Sequence, residues 1–209
     1  MPTAEIIALF MLAALALNLT PGPDMLYVVS RSIGQGASAG VMAATGGLLG
    51  SVVHTVAAVL GLSAVLMSSA TAFTIVKFAG AGYLAFLGVR ALLRMRSGTD
   101  SAPEARAPAS MRRVFLEAFT IHTLNPKVAI FFLAFLPQFI DPAGASPALG
   151  LAVLGSVFVV QAWAVNSLIA CAAASVRRAL ANPRITRWLD GATGVLFLGF
   201  GARLAFAAR

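Results

Sequence analysis

The chain has 209 residues, 59% hydrophobic and 11% charged, with a mean hydropathy of +0.90. Soluble domains carry about a quarter charged residues, so a water-facing globule is excluded and the chain reads as an integral membrane protein. The formal net charge of +8 suggests nucleic acid or anionic lipid in general. Here the arginines cluster at the ends of apolar runs, so a topological role explains them better and no nucleic-acid partner is expected. At ~20 residues per span, the length accommodates six helices, and 1–209 is read as one membrane domain. A cleavable signal peptide is not expected, because the first residues carry Glu5 and no Lys or Arg. Cys171 is the single cysteine and forms no internal disulfide.

Hydropathy predicts spans at about 4–30, 38–64, 72–93, 112–136, 148–174 and 188–207. The first is interrupted by Asn18-Leu-Thr20-Pro21-Gly22-Pro23-Asp24. In a helix, Pro21 leaves the carbonyl of Leu17 without its amide partner, and Pro23 does the same to Leu19. Unpaired carbonyls at membrane depth are tolerated only where protein or a wet cavity meets them, and an acidic residue beside such a break marks a functional site. Asp24 is therefore expected to face a polar cavity inside a helix bundle. In the second span Gly46, Gly50 and His54 are spaced four apart and share one face. The glycines read as close helix packing. His54 reads equally as a histidine satisfied by a hydroxyl such as Ser51 or as a proton relay.

The fourth span carries the second break, His122-Thr-Leu-Asn125-Pro126-Lys127. Pro126 frees the carbonyl of His122, and Asn125 can bond exposed backbone. Lys127 can snorkel toward an interface or pair with Asp24, since a lysine at depth is costly alone. The sharper reading joins the two broken helices around a zwitterion. Freed carbonyls with Asp24 take its ammonium, and Lys127 with the N–H groups of a helix start takes its carboxylate. A further reading has Asp24 and Lys127 neutralise each other until substrate arrives. Gln161 and Asn166 in the fifth span, and Tyr83 in the third, line a cavity or bond between helices. Glu117 and Asp190 are expected to form surface ion pairs near Arg112, Arg113 and Arg187. Residues 130–135 are expected in the core or against lipid.

The connections 90–113, 175–187 and 31–37 together hold eleven of the Lys and Arg residues. Positive loops stay cytoplasmic, which places these three inside and both termini outside. Gly80-Ala81 recurs as Gly191-Ala192 and Phe86-Leu87-Gly88 as Phe197-Leu198-Gly199, and the break at Pro21 recurs at Pro126. The fold class is accordingly all-α integral membrane: six transmembrane helices as two inverted three-helix repeats, with proline-broken first and fourth helices. Repeat 1 covers about 4–93, a cytoplasmic linker about 94–111 and repeat 2 about 112–207.

Thr20-Pro-Gly-Pro-Asp24, Gly46-x-x-x-Gly50-x-x-x-His54, Gly80-Ala-Gly-Tyr83 through Leu87-Gly88, and Asn125-Pro-Lys127 followed by Phe131 to Pro137-Gln138-Phe139 resemble the lysine-exporter (LysE) type translocators. The likeness is greater to their homoserine/threonine, or RhtB-like, branch, and it runs nearly end to end. The resemblance implies an inner-membrane exporter of amino acids or their derivatives, energised by the proton motive force, with no tightly bound cofactor. The family's landmarks fall on Pro21, Gly22, Pro23, Asp24, Asn125, Pro126 and Lys127. Asn18, Thr20, Ser51, His122, Gln138, Gln161 and Asn166 are further candidates. Two positions depart from the family pattern, Ser51 (often acidic or Thr) and His122 (often an amide). The expected partners are a small-molecule substrate, protons and membrane lipid, with homo-oligomer formation left open.

Two other classes compete. An intramembrane enzyme using His54, His122 and Asp24 lacks a serine or cysteine nucleophile placed beside either histidine, and the trio lacks metal-ligand spacing. A non-transporting scaffold leaves two broken helices and two buried charges without a purpose.

Overall fold

Thr3 starts the first helix, its hydroxyl accepting from the amide of Ile6 at 3.4 Å. This helix, α1 (Ala4–Leu19), stops at the proline pair. The next, α2 (Pro23–Gln35), begins with Pro23 at its first position, where a missing N–H costs nothing. The two axes diverge by 60°. Gly36, at φ 92°, then turns the chain into α3 (Ala37–Ala57), which continues as a wider π turn through Leu62. The computed structural model describes residues 2–62, 107–141 and 144–175 continuously, with isolated positions between 71 and 93 and between 191 and 202.

The second bent pair repeats the device. Helix α4 (Met111–Thr123) is capped by Ser110, whose hydroxyl accepts from the Arg113 amide. Helix α5 (Pro126–Ile130) is capped by Asn125, whose side-chain oxygen accepts from the Lys127 amide at 3.0 Å, and it too has proline at its first position. It runs on as a π segment (Phe131–Phe135) and a 3-10 turn (Leu136–Phe139), and the bend between the halves is 46°. Helix α6 (Pro147–Ser175) is unbroken. Ala37–Gly61 has 25 residues and α6 has 29. At about 1.5 Å per residue both exceed the ~30 Å hydrocarbon core.

These elements match the predicted first, second, fourth and fifth spans, and the first and fourth are broken at proline as expected. The third and sixth spans, the linker arginines, Lys77, Tyr83, Asp190 and most of the repeated Gly-Ala and Phe-Leu-Gly motifs lie outside the described residues. Among the described residues no strand occurs.

Helix α3 is central, packing on α2, α4 and α6. Its approach to α4 depends on glycine. A methyl group at Gly46 would strike the carbonyl oxygen of Phe115, and one at Gly50 would press on His122. Phe10, Phe131, Phe132 and Phe158 fill the core between α1, the π segment and α6, so the 130–135 stretch is mainly core. Leu12, Val56, Leu60, Val160 and Leu168 face outward, an apolar rim suited to lipid chains.

One boundary is corrected here. Arg31 is expected in the 31–37 turn, but α2 extends to Gln35 and Arg31 is only 3% exposed. Its guanidinium donates to the Tyr27 hydroxyl at 3.0 Å, the Ala107 carbonyl at 2.9 Å and Glu117 Oε2 at 2.9 Å. Glu117 is correspondingly no surface partner alone. It also accepts from Tyr27 at 2.9 Å and from the exposed Arg113 at 2.7 Å.

Candidate functional site

The break in α1–α2 and the break in α4–α5 meet. Lys127, 6% exposed, extends its ammonium out of α5 to the end of α1. There Nζ donates to the carbonyls of Leu17 at 3.2 Å and Thr20 at 3.1 Å. Leu17 is the residue whose carbonyl Pro21 deprives of a helical partner, so the lysine takes part of the missing hydrogen bonding. A cation is also favoured at the negative end of a helix. Asp24 Oδ1 lies 3.5 Å from the same Nζ, and Asp24 itself occupies the second position of α2, where the helix start favours a carboxylate.

Gly22 makes this approach possible by its size. Its φ of −140° is open to any residue, but a Cβ there would stand 2.8 Å from Asp24 Oδ1 and 2.9 Å from Lys127 Nζ. Pro21 and Pro23 set the bend on one side, Asn125 and Pro126 on the other. Asn18 and Asn125 are buried, and the amide nitrogen of each lacks a hydrogen-bond partner. Thr20 turns its hydroxyl back onto Ala16 and contributes its carbonyl instead.

His122 forms the third corner. Its Nδ1 lies 3.5 Å from Asp24 Oδ2, its Nε2 lies 2.9 Å from the Ser51 hydroxyl, and its carbonyl is 3.3 Å from His54 Nε2. The Ser51 oxygen is also 3.2 Å from the Gly47 carbonyl. With His122 neutral, Nδ1–H points at Asp24 and the Ser51 hydroxyl donates to Nε2. With His122 protonated, Nε2–H donates to Ser51, whose own hydrogen turns to Gly47. Both states are satisfied by rotating one O–H bond.

This arrangement places His122, and not His54, against Asp24. His54 lies 3.3 Å from the His122 carbonyl, meets the His122 ring edge-on at 6.3 Å and stacks on Phe132 at 5.7 Å. The Ser51 hydroxyl offered as its partner belongs to His122. Of the two freed carbonyls expected to hold a substrate ammonium, that of Leu17 is bonded by Lys127. Gln138 bonds weakly within its own helix at 3.4 Å, and Gln161 donates to the Met11 carbonyl between α6 and α1; neither reaches Asp24. Asn166 does belong here. With Asp24 and His122 it lines a cavity of about 10 Å³, whose other walls are small or aliphatic residues such as Val28, Ala44, Leu48 and Ala162. That is room for about one water molecule. Among the described residues no cluster of three His, Cys, Asp or Glu is fit to hold a metal.

The network of Tyr27, Arg31, Gln35 and Glu117 went unnoticed in the sequence. Gln35 holds Ala109 at two points, donating to its carbonyl at 2.6 Å and accepting from its amide at 3.0 Å. The available signal was spacing: Asp24, Tyr27 and Arg31 fall on one face of α2.

Apolar helices long enough to cross a bilayer, two helices broken at facing prolines, and opposite charges buried between them define a multi-pass membrane protein with the build of a solute carrier. Comparison with known proteins gives the particular family. The model of the LysE type translocators matches residues 15–208, and the chain belongs to that family. It is 34% identical to an uncharacterized membrane protein of Pseudomonas aeruginosa over 95% of this chain and 94% of the relative. It is 30% identical to a leucine efflux protein of Enterobacter sp. over 94% and 93%. A leucine efflux protein of Salmonella typhimurium is 28% identical over 94% and 92%. No solved structure matches the chain.

Proposed function

We propose that the chain exports amino acids or related small zwitterionic metabolites from the cytoplasm across the bacterial inner membrane, driven by the proton motive force. The observation that carries this reading is the meeting of the two broken helices through Lys127, Asp24 and the carbonyls of Leu17 and Thr20. A buried cation and anion with adjoining unpartnered amides match both ends of a zwitterion. The small aliphatic wall beside Asp24 and His122 suits an uncharged side chain, and leucine, named in two of the relatives above, is the first substrate to test.

The six-span inverted repeat belongs to the same proposal. Its support is positional. Gly22-Pro23-Asp24 and Asn125-Pro126-Lys127 occupy the same cap, first and second positions of the two second-half helices. The equivalent prolines are therefore Pro23 and Pro126, in place of the Pro21–Pro126 pairing first suggested by the sequence. The charges at the matched positions are opposite and face each other. In this reading the Arg-rich loops 90–113 and 175–187 are cytoplasmic and both termini lie outside. His122 is the proposed proton carrier, because its neutral and protonated forms both find partners.

Cells preloaded with a mixture of labelled amino acids test the reading. Expression of the protein should speed the loss of one class, and both Asp24→Asn and an uncoupler should remove the effect. Equal loss of every amino acid with and without the protein would overturn it.

A further inference from the structure

A primary ammonium carries three N–H donors. Lys127 Nζ has the Leu17 carbonyl at 3.2 Å, the Thr20 carbonyl at 3.1 Å and Asp24 Oδ1 at 3.5 Å. No feature of this seat requires a lysine side chain. It is the open end of α1 plus one carboxylate, and any R–NH3+ group satisfies it. Lys127 reaches the seat from the other broken helix, across the gap that Gly22 leaves clear. The two donors nearest in sequence to the seat, the amides of Asn18 and Asn125, are buried and unpartnered. They are acceptor-seeking groups in a place where the protein supplies no acceptor.

We infer that Lys127 is a resident occupant of the substrate's ammonium seat, and that loading is an exchange of cations. The arriving zwitterion gives its ammonium to Leu17, Thr20 and Asp24, and Lys127 moves onto its carboxylate, joined by the idle amides. This rests on the zwitterion reading above and adds the order in which charges are paired. Asp24 and Lys127 each have an opposite charge before and after the exchange, so neither is left bare in a medium where an unpaired charge is costly. A simple amine that evicts Lys127 strands it without a carboxylate. A simple carboxylic acid has nothing to offer Asp24 in return. Selection for molecules bearing both groups follows from the lysine's presence in the seat.

Removing the occupant should open the seat to amines. The probe is 3-methylbutylamine, the amine that corresponds to leucine without its carboxylate, added to the purified full chain in detergent. Its binding is read from the rise in unfolding temperature with ligand concentration. Lys127→Met and Lys127→Gln should bind the amine at least about tenfold more tightly than the unaltered protein, and adding Asp24→Asn should abolish the gain. Equal amine binding by folded variants and unaltered protein, or none by either, overturns the exchange.

The unaltered protein supplies an independent readout should both variants fail to fold. The chain has only two lysines, Lys77 and Lys127, so selective isotopic labelling of the lysine side chains gives two NMR signals, assigned by Lys77→Arg. Bound leucine should move the Lys127 signal, and a Lys127 signal unmoved by bound leucine overturns the inference. Amine uptake by Lys127→Met together with no amino-acid binding by the unaltered protein would retain the seat while removing the zwitterion reading. Leucine binding with no amine uptake by a folded Lys127→Met would do the reverse.

Discussion

Two charge pairs, each with a buried cation, join the two bent helices, and they are built differently. At the Arg31–Glu117 pair every guanidinium contact is short: 3.0 Å to Tyr27, 2.9 Å to Ala107 and 2.9 Å to Glu117. Gln35 adds its two-point hold on Ala109 one turn further on. At the Asp24–Lys127 pair the ions stand 3.5 Å apart, His122 stands another 3.5 Å from the carboxylate, and two neighbouring amides are idle. Buried polar groups are normally satisfied, so the first pair has the completeness of a structural joint. The second is left incomplete beside a cavity, as a site that must change partners requires.

Substitutions at the two pairs should therefore fail in different ways. The largest effect on stability is expected from Arg31→Met, which leaves the Ala107 carbonyl unpartnered and takes from Glu117 one of its three donors among the described residues. Three hydrogen bonds of a guanidinium are lost, each worth about 1.5–3 kcal/mol, so the folded yield and unfolding temperature should drop. Export per folded molecule should stay near the unaltered rate. Asp24→Asn should do the opposite, inserting normally while export falls at least about 100-fold, equivalent to ~2.8 kcal/mol. Transport assays normalised to membrane abundance separate the two.

Gly22→Ala lies between these cases. Its methyl group would crowd both Asp24 Oδ1 and Lys127 Nζ, and overpacking of this kind costs about 1–3 kcal/mol. Export should fall by roughly tenfold with the fold retained, since 1.4 kcal/mol is a factor of ten; unchanged export would mean that the ion-pair distance does not matter. Ser51→Ala should cost least, about 1 kcal/mol for one lost hydrogen bond. Its informative readout is the dependence of export on external pH, which should weaken because the hydroxyl no longer follows the state of His122. An unaltered pH profile would remove His122 from the proton path.

The breaks were legible because proline leaves no alternative. Pro21, Pro23 and Pro126 each lack the amide that a continuous helix would need, and the structure bends at both places. Asp24 and Lys127 were legible for a related reason, as charges that an apolar run does not carry without use. The partner of the freed Leu17 carbonyl was not legible. Nothing in the spacing says that Lys127, more than a hundred residues away, returns to the end of α1. His122 was undervalued because its importance comes from three contacts made by three different groups, and sequence shows only that a proline follows it. Arg31 was placed in the 31–37 turn because hydropathy ends the first span at about residue 30. The helix continues past it, and Tyr27 and Glu117 bury it.

The most direct test of the difference between the two pairs is the initial rate of leucine efflux from proteoliposomes, per folded molecule, for Asp24→Asn beside Arg31→Met. The account predicts no flux above protein-free vesicles for Asp24→Asn and a rate close to the unaltered protein for the surviving Arg31→Met. Normal flux through Asp24→Asn, with flux lost in a folded Arg31→Met, would contradict it and move the transport site to the Arg31–Glu117 pair.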